Sequence, residues 1–289
     1  MSAKPIVAAT DGSAESLRAV EWAAREAALR GAPLRIVSAA EKLPRMMETH
    51  DAPGDVDDVT DVLLEERDSA LAGAAERAAK VSADLLIDTD HLAGAPAVAV
   101  TEAGSGALML VVGSRGSGAF TALLLGSVSR YAATHASCPV VVVRDEVAAS
   151  HRQIAVGVGD PDSCAASLTF AFEEAALRHA ALLVVHAWTR PEVGMEKPYW
   201  ALSDPGAHAA ESKVAQRLTA LIDDWRAKYP DVEVSQDVLF GHPGRALAGL
   251  SARADLVVVG RNAAHHGAGK VIHAVLSHAH GPIVTVPSA

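Results

Sequence analysis

The stretch from Val111 to Ser129 reads VVGSRGSGAFTALLLGSVS and joins an apolar segment, a glycine loop and the predicted start of a helix. The apolar segment begins upstream at Leu108, and nine residues separate Gly116 from Gly126. A strand, a loop and a helix start in this order present backbone N–H groups and the positive end of a helix dipole to one point. The stretch therefore predicts a phosphate-binding site, and the alternative is a glycine-rich connection that only turns the chain.

Three glycines in this stretch, Gly113, Gly116 and Gly126, are the expected positions of close backbone approach to an anion. Glycine has no Cβ to keep the anion away, and it also accepts positive φ. Ser127 and Ser129 would add hydroxyl donors where we expect the N-cap of the following helix.

The spacing Gly-x2-Gly-x9-Gly-Ser, directly after a hydrophobic strand, resembles a pattern in the universal stress protein family. ATP-binding members of that family carry it at the end of the fourth strand. Asp11-Gly12-Ser13 is similar to the family's first-strand signature. The resemblance implies an α/β, doubly wound, Rossmann-like domain with a five-stranded parallel sheet, of the adenine nucleotide alpha-hydrolase-like type.

Composition sets the class of protein. The 289 residues are enough for two domains, and half of them are hydrophobic but only 4% aromatic, so Ala, Val and Leu must build the cores. The formal net charge of −10 argues against nucleic acid or an anionic membrane as the main partner. No apolar run of about 18 residues occurs and the amino terminus lacks the shape of a signal peptide, so we expect a cytoplasmic protein.

The two cysteines, Cys138 and Cys164, lie in different halves of the chain without Cys-x-x-Cys spacing. This pattern disfavours a disulfide or a thiolate metal site and predicts small buried side chains. Five histidines crowd the carboxy-terminal end, but no His-x3-His step on the helix expected from Lys270 supplies a pair of ligands. We therefore predict no metal site.

The amino-terminal segment is typical of a strand, a helix and a second strand. Residues 5–10 and 34–39 are the apolar strands, and the helix between them has Ser13 as its predicted N-cap and Gly31 as its end. Asp11 follows the first strand, where open α/β sheets bind their ligands. Its carboxylate is suited to accept a hydrogen bond from a ribose hydroxyl, and the alternative is an Asx-turn or helix cap.

Residues 48–68 contain nine acidic residues and one basic residue, Arg67. The first part of this stretch predicts a mobile loop at the rim of the site, and carboxylates paired on Mg2+ are an alternative without support. The rest of this half predicts helices and strands in alternation: a helix over 62–82, a strand over 85–87, a helix from 94 to 103, a strand over 108–112, a helix over 127–136 and a strand over 139–144.

The second half repeats the first. Gly113 lies 19 positions after Gly94, and Gly260 lies 19 positions after Gly241. The repeat predicts two tandem domains, an ATP-binding domain over 1–146 and a second domain with a degenerate nucleotide motif over 151–289. The last strand of each copy is an apolar edge, and we expect the two copies to pair these edges within one chain, which leaves other surfaces for a homodimer.

The copies differ at the expected ligand positions. Gly159-Asp160-Pro161 stands where the first copy has Asp11-Gly12-Ser13, and the second loop is four residues shorter. Ala263 replaces the second glycine, and Lys270 stands in place of Ser127. A full nucleotide site is therefore predicted only in the first copy, although Lys270 would still suit an isolated anion.

Three functions fit these observations: an adenine-nucleotide sensor, a slow ATPase, and an interaction module that needs no nucleotide. A P-loop, a dinucleotide fingerprint after the first strand and a nucleophile elbow are all missing from the sequence. The family resemblance implies binding of ATP, AMP or ADP, with or without Mg2+, in a stress response or dormancy signal. The residues that the resemblance assigns to the nucleotide are Thr10, Asp11, Ala39, Val112, Gly113, Arg115, Gly116, Gly126, Ser127, Val128 and Ser129.

Overall fold

The computed structural model describes residues 3–40, 56–116, 125–144, 150–159, 164–188, 205–261 and 268–288. The chain divides into two compact units, Met1–Glu146 and Val147–Ala289. In each unit five parallel strands alternate with helices, so the predicted α/β, doubly wound class is confirmed.

Strands and helices alternate strictly along the first unit. Their order is β1 (Ile6–Ala9), α1 (Ala14–Arg30), β2 (Leu34–Ala40), α2 (Val56–Ala79), β3 (Ile87–Ala93), α3 (Pro96–Ala103), β4 (Met109–Gly113), α4 (Ser127–His135) and β5 (Val140–Val143).

Strand order in the first unit is β3-β2-β1-β4-β5, and every pairing is parallel. β1 lies between β2 and β4, with Ile6 opposite both Leu34 and Met109. The chain moves outward from β1 in one direction and then in the other, so the carboxyl ends of β1 and β4 flank the topological switch point. Ligands of doubly wound sheets bind at this position.

The central strands are apolar without alternation because neighbouring helices cover both faces of the sheet. All five residues of β4 and all four of β5 are buried. Helix α1 begins at the predicted N-cap, where the Ser13 hydroxyl accepts a 3.3 Å hydrogen bond from the Ser16 amide. It ends at Gly31, which has left-handed backbone with φ of 60°.

The second unit repeats this architecture. Its elements are β6 (Gln153–Gly157), α5 (Ala165–Arg178), β7 (Ala181–Trp188), α6 (Pro205–Lys228), β8 (Val234–Phe240), α7 (Pro243–Leu250), β9 (Leu256–Arg261), α8 (Ala268–His278) and β10 (Ile283–Pro287). The strand order within the unit, β8-β7-β6-β9-β10, matches that of the first.

Two elements differ from the predictions by more than two residues. The third strand is not 85–87 but Ile87–Ala93, a polar strand that carries Asp88, Asp90 and His91. Leu86, taken for the centre of that strand, is 75% exposed just before it. Helix α2 begins at Val56, inside the acidic stretch expected to be a loop, and residues 41–55 lie outside the described part of the chain.

The side chains of Cys138 and Cys164 are buried, which confirms their predicted environment. No helix in the described ranges is long and apolar enough to cross a bilayer. Across those same ranges, no three His, Cys, Asp or Glu side chains come together as metal ligands would. His265 and His266 of the carboxy-terminal histidines lie outside the described residues.

Candidate functional site

A network of hydroxyl groups holds the turn between β1 and α1. The hydroxyl oxygens of Thr10 and Ser16, both buried, lie 3.0 Å apart. Ser16 donates its hydroxyl hydrogen to the Ser13 carbonyl at 2.9 Å, so the Thr10 hydroxyl is the donor to Ser16. The Gly12 amide donates to Thr10 Oγ1 at 3.1 Å. These bonds fix the backbone on both sides of Asp11.

Asp11 itself forms an Asx-turn, the alternative that the sequence left open. Its Oδ1 accepts hydrogen bonds from the Ser13 amide at 3.1 Å and the Ser13 hydroxyl at 2.6 Å. Gly12 follows with φ of 79°, a left-handed conformation that favours glycine. The Asx-turn uses Oδ1, and Oδ2 lies toward the loop after β4, because a Cβ on Gly116 would stand 2.5 Å from it.

The loop between β4 and α4 is closed at its base by one hydrogen bond. The Gly126 amide, at the entrance to α4, donates to the Ser114 carbonyl at 2.9 Å. Ser114 is in turn anchored to the sheet, since its amide donates to the Val143 carbonyl at 2.9 Å. The bond brings the amino terminus of α4 next to the carboxyl end of β4. Residues 117–124 of the loop lie outside the described residues.

The three glycines of the loop have different environments. A Cβ on Gly113 would meet the Glu15 backbone at 2.9 Å, so glycine is required there by the packing of α1. A Cβ on Gly126 would make only ordinary contacts, at 3.4 Å to the Ser114 carbonyl and 3.5 Å to Ser129 Oγ. Positive φ occurs at none of the three, so our suggestion of left-handed backbone was wrong, and Gly12 has that conformation instead.

Gly126 is the N-cap residue of α4, and no side chain caps this helix. The expected serine cap was therefore wrong. Ser129 is 3% exposed and donates its hydroxyl to the Gly113 carbonyl at 2.5 Å, so this hydrogen already has a protein acceptor. Ser127 is exposed. The first helical hydrogen bond of α4 runs from the Arg130 amide to the Gly126 carbonyl at 3.0 Å, so the amides of residues 127–129 come before it. Backbone amides of a first turn lack helical partners and suit an anion.

Charged side chains lie beside the loop. Arg115 Nη2 is 3.8 Å from Glu15 Oε1, and the two side chains are 23% and 28% exposed. The same Glu15 oxygen is 3.5 Å from Arg18 Nη2. The sequence indicated Arg115 but missed Glu15. Its place in the first turn of α1 was the signal, because that turn faces the carboxyl edge of the sheet.

Ala39 and Val112 lie at the carboxyl ends of β2 and β4. Val112 is 2% exposed, and Ala39 pairs with Leu92 of β3. Arg67 of α2 reaches the same edge and donates through Nη2 to the carbonyls of Ser38 at 3.3 Å and Leu92 at 3.4 Å. Sequence reasoning missed this residue, although a lone arginine in an acidic stretch was a usable signal.

At the equivalent turn of the second unit, whose residues 160–163 lie outside the described part of the chain, the two positions of the buried hydroxyls hold other side chains. The strand registers match Thr10 to Val158, and the two helices align Ser16 with Cys164. Val158 and Cys164 are as buried as their counterparts but cannot form the same bonds. Lys270 is exposed on α8, and the preceding loop, residues 262–267, lies outside the described part of the chain.

Known proteins are similar to this chain in both sequence and fold. The model of the universal stress protein family matches residues 2–144 and again 150–287. A universal stress protein of Mycobacterium tuberculosis strain H37Rv is 33% identical over 295 residues, covering 96% of this chain and 95% of the relative. A second one from the same strain is 32% identical, covering 93% of this chain and 90% of its own length.

A solved structure gives the same result for the fold. A universal stress protein from Archaeoglobus fulgidus superposes with a TM-score of 0.70 at 17% identity, covering 100% of this chain and 97% of that one. A universal stress protein solved in complex with cAMP is 29% identical over 50% of this chain and 98% of its own, with a TM-score of 0.38. With two matches to the family model and relatives over nearly its full length, the chain belongs to the universal stress protein family as a tandem member.

Proposed function

We propose that the first unit binds an adenine nucleotide, ATP foremost, at the carboxyl ends of β1 and β4. The observation that carries this proposal is the environment of Gly126. Its φ of −61° and the ordinary contacts of an added Cβ mean that neither backbone strain nor packing requires glycine there, which leaves only its preference over alanine as an N-cap. A ligand that approaches the backbone at the start of α4 supplies a further reason.

The described residues fit the parts of such a nucleotide. The amides of Ser127, Val128 and Ser129 suit phosphate oxygens, with Gly126 as the point of close backbone approach and Arg115 as a nearby cation. Asp11 suits a ribose hydroxyl, because its carboxylate is held in place by the Asx-turn. The backbone of Ala39 would face the adenine edge, with Thr10, Val112, Gly113 and Gly116 shaping the walls. Mg2+ would accompany a bound triphosphate.

The second unit is proposed to bind no nucleotide. Gly159-Asp160-Pro161 stands where the first unit has Asp11-Gly12-Ser13, which moves the carboxylate by one position in the sequence, and Val158 and Cys164 replace the buried hydroxyls of Thr10 and Ser16. We therefore expect one nucleotide per chain. Occupancy of this one site would serve as the signal that a stress-response partner detects.

Identification of the bound molecule is the direct test. The purified chain is denatured, and the released small molecules are identified and quantified by mass spectrometry. The stripped and refolded chain is then titrated with ATP, ADP, AMP and cAMP by calorimetry. About one equivalent of an adenine nucleotide per chain is expected. A chain that releases none and binds none would contradict the proposal and favour an interaction module, whereas steady release of phosphate from ATP would favour an ATPase.

Formation of a homodimer remains a prediction. Light scattering on the purified chain, with and without ATP, measures its molar mass directly. A mass of one chain under both conditions would contradict it.

A further inference from the structure

Glu15 is an acidic residue at a site that we propose for a polyanion. It lies in the first turn of α1, and its backbone packs against Gly113 at the end of β4. Its side chain is 28% exposed and contacts two guanidinium groups, those of Arg18 and Arg115. A carboxylate in this position repels phosphates and also occupies the cation of the loop.

The Arg115 guanidinium group cannot keep its ion pair with Glu15 and also bind a phosphate in full. Its Nη2 lies 3.8 Å from Glu15 Oε1, which is an ion pair at its outer limit of distance and not a close bidentate pair. Phosphate oxygens are strong partners for a guanidinium group. If Arg115 is transferred from the carboxylate to a phosphate, the energy of its pair with Glu15 is lost on binding.

We propose that Glu15 is a positioning residue that competes with the ligand for Arg115 and thereby sets how strongly the site prefers additional phosphates. The inference rests on the proposed nucleotide site. Glu15 lowers the affinity for ATP more than that for AMP, and it leaves adenosine almost unaffected, because only charged ligands take Arg115 from it. The site is thereby tuned away from the highest affinity for the triphosphate.

The chain contains a matched control on the same helix. Glu21 is also 28% exposed and also pairs with two arginines, Arg25 at 3.7 Å and Arg77 at 2.8 Å. Six residues further along α1, it contacts neither Gly113 nor Arg115 in any described interaction. Glu21→Gln removes the same charge as Glu15→Gln, so it measures the effect of net charge alone.

The experiment is calorimetric titration of four full-length variants with adenosine, AMP and ATP at one ionic strength. Glu15→Gln is expected to bind ATP about fivefold more tightly, the upper value for a partly exposed ion pair. The gain should be smaller for AMP and below about twofold for adenosine. Arg115→Gln is expected to lower the affinity for ATP. Adding Glu15→Gln to Arg115→Gln should raise that affinity by less than about twofold.

Several outcomes would overturn this inference. An equal gain in Glu21→Gln would attribute the effect to net charge. A full gain in the double variant would show direct repulsion of phosphate instead of competition for Arg115. Wild-type protein that binds ATP with no change in Glu15→Gln would refute the role of Glu15 alone, whereas wild-type protein that binds no adenine nucleotide would refute the proposed function as well.

Discussion

Replacing Gly126 by alanine separates the needs of the ligand from those of the fold. The added methyl group would lie 3.4 Å from the Ser114 carbonyl and 3.5 Å from Ser129 Oγ, which are ordinary contacts. Since φ is −61°, alanine introduces no backbone strain. The expected cost is the weaker N-cap, about 0.5–1 kcal/mol of unfolding free energy. A phosphate held on the α4 amides would collide with the methyl group, so we expect ATP affinity to fall about tenfold or more.

Gly113→Ala is the matched comparison. Its methyl group would lie 2.9 Å from the backbone of Glu15, which cannot rotate away, so the first unit should lose about 1–3 kcal/mol of stability. Urea denaturation gives the stabilities, and calorimetry at a temperature where both variants are folded gives the ATP affinities. A Gly126→Ala protein that binds ATP like wild type would refute the proposed phosphate contact at the α4 amides, because glycine there would then matter only as an N-cap.

Three further changes test other parts of the site. Gly116→Ala places a methyl group 2.5 Å from Asp11 Oδ2 and should displace that carboxylate. The affinity for ATP, measured by calorimetry, should fall about tenfold. An unchanged affinity would exclude Asp11 as a residue that contacts the nucleotide. Ser129→Ala removes the buried 2.5 Å bond to the Gly113 carbonyl and should cost about 1–2 kcal/mol in urea denaturation, whereas unchanged stability would make the bond dispensable. Arg67→Met should lower the affinities for adenosine and for ATP by the same factor, because the hydrogen bonds of Arg67 hold the strand ends near the adenine position. A loss of affinity for ATP alone would instead indicate that Arg67 contacts a phosphate.

Most of the fold could be predicted because its signals are local. The run of buried residues in β4 identifies a strand covered on both faces, and Ser13 and Gly31 mark the ends of α1 by their capping chemistry. The internal repeat then predicts the second unit from the first. Each of these signals lies within a few residues of the element that it defines.

The third strand could not be recognised in this way. β3 is a peripheral strand of the unit, and its charges are partnered by residues distant in sequence: Asp90 pairs with Arg35 of β2, and His91 Nε2 lies 2.5 Å from Asp68 Oδ1 of α2. Such partners make a polar segment acceptable in a sheet, but they exist only after the chain has folded. The nearby apolar run around Leu86 gave a stronger and misleading local signal.

The candidate site shows the same division. The glycines and Asp11 follow from a linear motif, but the reason for each glycine depends on its neighbours in space. A side chain on Gly113 would clash with the backbone of α1, and one on Gly116 would clash with Asp11. A Cβ on Gly126 would make only ordinary contacts. Glu15 and Arg67 belong to no motif, and their contacts with Arg115 and with the ends of β2 and β3 exist only in the folded chain.

The two units indicate that the fold does not depend on the site. Val158 and Cys164 fill the positions of Thr10 and Ser16 with side chains of similar volume, and both remain buried. A pair of hydroxyls bonded to each other can be replaced by apolar groups of the same shape at little cost. The Asp11 and Gly12 amides and the Ser13 carbonyl also lose a partner, but these bonds are only partly buried, so water can replace them. The paired replacement thus preserves packing while it removes the support of the Asp11 turn. It follows that Thr10→Val combined with Ser16→Cys should unfold in urea much like wild type but bind ATP more weakly, and a large loss of stability would contradict this separation of fold from site.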